Sequence, residues 1–234
     1  MIHLPSFLRA LYDFTMQSNE IQKTSEHILE ICQRLHSRNM LAAADGNISV
    51  RLNNNEILIT PSGISKAFMK AEDMAVITLN NEVLKGNPST ERLMHLEVYR
   101  NSEKAQAIVH AHPPTAIAWS IARPDLNNLP SNCLSEVILA TGDIPFADYA
   151  RPGTQQMGDV LQKFLPQHRA IILRRHGALT WGGSLDEAYR GMERIEHSAI
   201  ILEKALRLGG LNPLPDEEIE YLYNLRKKIG EILL

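Results

Sequence analysis

The run Asn53-Asn54-Asn55 constrains this chain more than any other feature. It separates residues 47–52 from residues 56–60, two short apolar-rich runs that read as strands. Asparagine tolerates positive φ, so the run reads as a hairpin turn, and a hairpin makes its two strands antiparallel. A third strand is expected at residues 75–79, followed by the turn signal Asn80-Asn81. Three adjacent strands joined by turns exclude an all-parallel sheet.

The rest of the chain alternates helix and strand signals. Ser18 or Asn19 is a candidate cap for a helix reaching residue 39, with Ile28, Ile31, Cys32 and Leu35 on one face. A helix is expected at residues 90–101, a buried strand at 107–112, and a second helix after Pro113-Pro114, through residue 122. Further helices are expected at 154–165 and 216–229, and a strand at 170–174. Ser184-Leu185-Asp186-Glu187 fits a capping box, so a long helix starts there and stops at Gly209-Gly210. The expected fold class is α/β, a mixed sheet with helices packed around it.

Length and charge narrow the function. A chain of 234 residues supports one domain with a full core. Residues 1–18 read as an N-terminal extension and 19–234 as the domain. Residues 1–16 carry Arg9 and Asp13 and lack a small-residue cleavage site, so an amphipathic segment packed on the domain or on a neighbouring subunit is expected, not a leader. The net charge of −3 argues against a nucleic-acid partner, and no apolar stretch approaches a membrane span. Cys32 and Cys133 are too few for a disulfide framework and read as buried thiols, consistent with the cytoplasm.

His110-Ala111-His112 carries the chemistry. Side chains at i and i+2 share a strand face, so both imidazoles can reach one ion at the strand end marked by Pro113. An H-x-H pair alone is a weak signal. His176-Gly177 follows the strand expected at 170–174 and offers a third imidazole at another strand end. Three imidazoles with an open position suit catalytic zinc, and other first-row divalent ions also accept nitrogen ligands. His3, His27, His36, His168 and His197 read as surface or packing residues, and His95 stands near Glu91 on the helix expected at 90–101.

Three segments offer hydroxyls, small residues and free N–H groups: Gly46-Asn47-Ile48-Ser49, Thr60-Pro61-Ser62-Gly63 and Pro88-Ser89-Thr90-Glu91. Ser89 and Thr90 fall at an expected helix start, where an anion is stabilised. Each segment taken singly is also an ordinary turn or cap, and Glu91 in a first helical turn has a plain use against the helix dipole.

In order, G-N-x-S, T-P-S-G, P-S-T-E, H-x-H and R-H-G, with Tyr149-Ala150-Arg151-Pro152-Gly153-Thr154, resemble the class II aldolase and adducin family over residues 20–230. The motifs are closest to those of L-fuculose-phosphate aldolases. The resemblance implies a nine-stranded α/β/α sandwich with a mostly antiparallel central sheet. It implies one zinc ion per subunit on His110, His112 and His176, a homotetramer, and a small phosphorylated sugar as substrate. The phosphate pocket maps onto Gly46, Asn47, Ser62, Gly63, Ser89 and Thr90, and the catalytic acid/base onto Glu91. Glutamate at 91 speaks against the family's epimerases, which carry aspartate. The implied reaction is retro-aldol cleavage of a ketose 1-phosphate to dihydroxyacetone phosphate and an aldehyde. Alternatives are a methylthioribulose-1-phosphate-type dehydratase, an adducin-like noncatalytic protein, and a sugar-acid decarboxylase. The chain departs from the fuculose-phosphate aldolase pattern at Leu134 and Ile229, near which that pattern has tyrosines, and at Arg175, where asparagine or histidine is common.

Overall fold

The computed structural model describes residues 6–229, with side chains from residue 18 onward. Helix α1 (Ser6–Ser37) is followed by strands β1 (Asn47–Arg51), β2 (Glu56–Ile59), β3 (Ala75–Thr78) and β4 (Val83–Lys85). Then come α2 (Arg92–Asn101), β5 (Ala107–Ala111), α3 (Pro114–Ala122), α4 (Ser135–Ala140), β6 (Phe146–Ala147) and α5 (Gln156–Asp159). The chain closes with β7 (Ala170–Leu173), β8 (Gly177–Gly182), α6 (Leu185–Leu208) and α7 (Asp216–Ile229).

The strands form one sheet in the order β4-β3-β2-β1-β5-β8-β7-β6. Every pairing is antiparallel except β6 with β7. The sheet is therefore mostly antiparallel, with β1 and β2 paired across the asparagine turn as expected, and has eight strands among the described residues instead of nine. Successive side chains point to opposite faces. Ile48, Leu58, Val76 and Val109 join a core with Ile28, Ile31, Cys32 and Leu35 of α1 and Met192 and Ile195 of α6. Ile57, Ile59, Ile77, Ile108 and Leu179 join a second core with Met94 and Val98 of α2. The sheet is thus sandwiched between helices, with apolar layers on both faces.

Several boundaries differ from expectation for identifiable reasons. No Gly or Pro interrupts residues 6–37, so α1 passes through Ser18 and Asn19 without stopping. Residues 1–5, His3 among them, and residues 230–234 lie outside the described residues, as do the side chains on which a packing role for residues 1–16 depends. The helix expected at 154–165 breaks into α5 and a 3-10 turn at Gln162–Phe164. Gly158 weakens a helix there and suits a close approach: a Cβ on it would lie 3.2 Å from Glu97 Cβ. Strand β8, central in the sheet, is bounded by Gly177 and Gly182, which hide its strand pattern. Cys32 is buried as expected, whereas Cys133 is only partly covered. The expected cap forms at α6, where Ser184 Oγ accepts from Glu187 N–H at 3.1 Å, but the return bond is displaced by one residue: Glu187 Oε2 accepts from Gly183 N–H at 2.5 Å instead of from the cap residue itself.

Candidate metal centre and active site

His110 is near the end of β5, His112 just past it, and His176 in the tight turn joining β7 to β8. The pairing of β5 with β8 brings these two strand ends together, with Ala111 opposite Ala178. One nitrogen from each of the three rings falls within 4.8 Å of the others, and the ring centroids are 4.9–5.1 Å apart. Gly177 makes this approach feasible. A Cβ there would meet Ala111 O at 2.5 Å and carbons of His110 and His112 at 2.9 Å.

The nitrogens present lone pairs. His110 Nδ1 donates to Ala178 O at 2.9 Å, so in the neutral ring Nε2 is unprotonated. That Nε2 faces Glu91 Oε2 at 3.2 Å and His112 Nε2 at 3.3 Å. Glu91 Oε1 faces His176 Nε2 at 3.1 Å. Burial first, then the charges of His110 and His176, hold the His112 imidazole down at about 3, in its neutral, ligating form. An acceptor-rich set of three imidazoles and a carboxylate converging on one point fits a divalent cation. The three histidines can therefore hold a metal ion.

Glu91 occupies the N-cap position of α2, one residue before the helix, and its side chain caps nothing. The plain reading, a carboxylate offsetting the helix dipole from inside the first turn, does not describe it. Its carboxylate is engaged by the two histidines and by Asn47 Nδ2, which donates at 2.7 Å. Burial pushes its pKa up, but the charges and hydrogen bonds of His110 and His176 outweigh burial and hold it well below the usual carboxylate range.

Beside the cluster lies an open cavity of about 370 Å³. Gly46, Asn47, Ser62, Gly63, Ser89, Thr90 and Glu91 all line it, together with His112 and His176, while His110 is buried behind them. The three small-residue segments therefore meet in one place. The Pro61–Pro88 bridge and the bonds from Ser62 N–H to Asn87 O (2.9 Å) and Ser89 N–H to Thr60 O (3.1 Å) tie two of them together. Gly46 and Gly63 both have φ of 72°, a region that favours glycine. A Cβ on Gly46 would also come within 2.9 Å of His110 O, so the loop before β1 packs directly on β5.

Lys66 was not singled out from sequence. It is 3% exposed and lines the same cavity. Its Nζ donates to Ala44 O at 2.9 Å and Ile64 O at 2.6 Å, and burial lowers its pKa. No spacing rule marks a lysine in an irregular loop; only the folded loop turns it inward. Asp45, 3.6 Å from His112 Nδ1, was missed for the same reason. The remaining histidines divide. His27 pairs with Asp186, His36 packs edge-on to Phe68, and neither approaches the centre. His95 is fully buried, with Nε2 2.5 Å from Asn47 Oδ1. Arg175 holds the turn before His176 at φ 61°, a conformation easier for asparagine, and its N–H donates to Ser120 Oγ at 2.9 Å. Tyr223 donates to Asp143 at 2.6 Å, and Tyr221 is exposed; neither lines the cavity.

Comparison with known proteins agrees with this arrangement. The profile of the class II aldolase and adducin N-terminal domain matches residues 26–202. An L-fuculose phosphate aldolase of Methanococcus maripaludis is 32% identical over 171 residues, 73% of this chain and 91% of its own length. A 3-oxo-tetronate 4-phosphate decarboxylase of Escherichia coli is 30% identical over 187 residues, 77% of this chain and 86% of its own. Among solved structures, an L-fuculose-1-phosphate aldolase of Thermus thermophilus superposes with a TM-score of 0.71 at 32% identity, covering 83% of this chain and all of the other. The converging histidines, the glutamate among them and the ordered loop motifs thus have a common origin: the chain belongs to the class II aldolase and adducin family.

Proposed function

We propose that this protein is a zinc-dependent carbon–carbon lyase that cleaves a ketose 1-phosphate to dihydroxyacetone phosphate and an aldehyde. The observation that carries the reading is the position of Glu91, a carboxylate lodged against two of the three clustered imidazoles in a cavity lined by hydroxyl, amide and glycine residues. His110, His112 and His176 would hold the zinc. Bound there, the ion supplies Lewis-acid polarisation of the substrate's carbonyl group. Gly46, Asn47, Ser62, Gly63, Ser89 and Thr90 would bind the phosphate through N–H, amide and hydroxyl donors, anchoring the remote end of the sugar and fixing the reacting carbon near Glu91. The buried Lys66 ammonium supports an anionic occupant of this cavity.

In the cleavage direction the bond between the third and fourth carbons breaks and its electron pair stays with the dihydroxyacetone phosphate fragment. The fourth carbon's hydroxyl gives its proton to the ionised Glu91 carboxylate as that carbon becomes the aldehyde. Glu91 delivers a proton to the third carbon, and in the reverse direction it removes that proton. The functional unit is proposed to be a homotetramer.

Decarboxylation of a phosphorylated sugar acid is the second reading, favoured over dehydration by the decarboxylase relative. Both lyase readings differ from an adducin-like noncatalytic role in requiring metal. The test is proton exchange: metal-loaded protein is incubated with dihydroxyacetone phosphate in D₂O and the hydroxymethyl signal is followed by NMR. Stereospecific loss of one proton, abolished by chelation, is expected of the aldolase. Metal-loaded protein without exchange points to the decarboxylase, and protein that binds no metal points to the noncatalytic role.

A further inference from the structure

Glu91 is one end of a buried chain of hydrogen bonds. Its Oε2 accepts from Asn47 Nδ2 at 2.7 Å, and Asn47 Oδ1 lies 2.5 Å from His95 Nε2. His95 Nδ1 lies 2.7 Å from Ser49 Oγ, which lies 2.9 Å from the Tyr99 hydroxyl. Asn47, Ser49, His95 and Tyr99 are all at most 2% exposed. The spacing explains the pattern. His95 and Tyr99 stand four residues apart on one face of α2, Glu91 stands four residues before His95 at the helix N-cap, and Asn47 and Ser49 stand two apart on one face of β1. Helix and strand are laced together alternately, one residue from each.

The direction of the chain is fixed from the Glu91 end. An ionised carboxylate only accepts, so Asn47 must turn its amide NH₂ toward it. The Asn47 carbonyl then faces His95 and requires a donor, which makes His95 the Nε2–H tautomer. Its Nδ1 is left to accept from Ser49, and the Ser49 oxygen accepts from Tyr99. Every donor in the chain points toward Glu91, and in a low-dielectric interior each bond polarises the next. Burial, followed by the charge of His110, holds the His95 pKa down at about 3, so the ring stays neutral and the tautomer is well defined. Reversing Asn47 would set its carbonyl against the carboxylate and an N–H against His95 Nε2–H.

We propose that His95 is a positioning residue for Glu91: it locks Asn47 in the one amide orientation that donates to the carboxylate. This keeps Oε2 engaged and leaves Oε1 to carry the transferred proton. The proposal rests on reading Glu91 as the acid/base. A polar cluster that merely satisfied its own hydrogen bonds would affect stability without selecting a carboxylate oxygen or splitting kcat from KM.

Two measurements test it, one of them independent of turnover. In the first, nitrogen-15 NMR reads the His95 tautomer in the unmodified protein and in Glu91→Leu. The Nε2–H form is expected in the former, and a mixture with Nδ1–H in the latter, where nothing imposes the amide orientation. An Nδ1–H ring in the unmodified protein, or a tautomer indifferent to Glu91→Leu, overturns the proposal. In the second, proton exchange on dihydroxyacetone phosphate is compared for His95→Leu and His95→Gln, each checked for folding and metal content. Mispositioning of a catalytic group predicts a fall in kcat of about a hundredfold for His95→Leu with KM changed by less than about twofold, and partial recovery in His95→Gln, whose amide can still donate to Asn47. If His95→Leu does not fold, Ser49→Ala takes its place with a smaller fall expected. A folded, metal-loaded variant with unchanged kcat overturns the proposal. Absence of exchange in the unmodified protein is a failure of the aldolase reading; the tautomer comparison then decides the coupling of His95 to Glu91 by itself.

Discussion

Two glutamates with little exposure, Glu196 buried and Glu91 partly so, sit at helix N-termini in this molecule, and they are used in opposite ways. Glu196, 7% exposed on α6, accepts from Thr115 N–H through both oxygens at 3.0 Å and from Ala116 N–H at 3.1 Å. It caps α3 from outside that helix, and its charge is answered by the backbone donors a helix start leaves open. Glu91 stands at the start of its own helix, yet leaves those donors alone and faces imidazole nitrogens instead. The first carboxylate completes a helix start; the second turns away from its helix toward two imidazoles and an open cavity. Burial of a carboxylate therefore identifies neither role. What distinguishes them is whether the surrounding groups satisfy the charge or converge with it on an open cavity.

The contrast can be broken most sharply at Glu91. Glu91→Gln should retain metal and melting temperature while proton exchange on dihydroxyacetone phosphate falls by about 10²–10⁴-fold, the range supplied by a positioned acid or base. Exchange at the unmodified rate would remove Glu91 from the chemistry. His176→Ala should lower bound zinc, measured by elemental analysis, and reduce exchange in proportion, because two imidazoles do not close a zinc site. Full zinc occupancy in that variant would place the ion elsewhere. Glu196→Ala should act in the other direction, lowering stability to denaturant by about 2–3 kcal/mol through loss of charge-assisted bonds to α3. It should leave zinc content of the folded protein intact; a loss of zinc with unaltered stability would contradict its structural role.

The smallest effect concerns His95. Its folded pKa, lowered to about 3 by burial and by His110, lies below the ordinary value of 6.5. The unfolded chain binds more protons between these values, so stability falls as pH drops below 6.5 and the contribution is lost progressively toward pH 3. His95→Gln removes this dependence. Its unfolding free energy should lose about 1 kcal/mol less than the unmodified protein between pH 7 and pH 5.5. Parallel acid profiles would show that His95 is not buried neutral.

The parts of this site that follow repeating geometry were legible in the sequence. His110 and His112 share a face because a strand alternates, and the antiparallel pairing of β1 with β2 was implied by Asn53-Asn54-Asn55. Glu91 was recognisable by resemblance, but its departure from the cap was not, because a cap and a cavity ligand look alike at a helix start. His95 carried a usable signal, Glu91-x-x-x-His95-x-x-x-Tyr99 beside Asn47-x-Ser49, that becomes meaningful only once α2 is known to cross β1. Lys66 carried none, since its inward turn depends on carbonyls of Ala44 and Ile64 in two different loops. Strand β8 was obscured by the same glycine that lets the histidines meet.

That glycine has a consequence for descent. Position 177 lacks room for a methyl group because a neighbouring carbonyl and two imidazoles occupy the space. A lineage that keeps all three histidines has no neutral route away from glycine there, while one that has abandoned the metal is freed from two of the three obstacles. Related chains should therefore lose Gly177 together with the histidines or after them, and substitution at this single position would mark the members whose ancestral chemistry has lapsed.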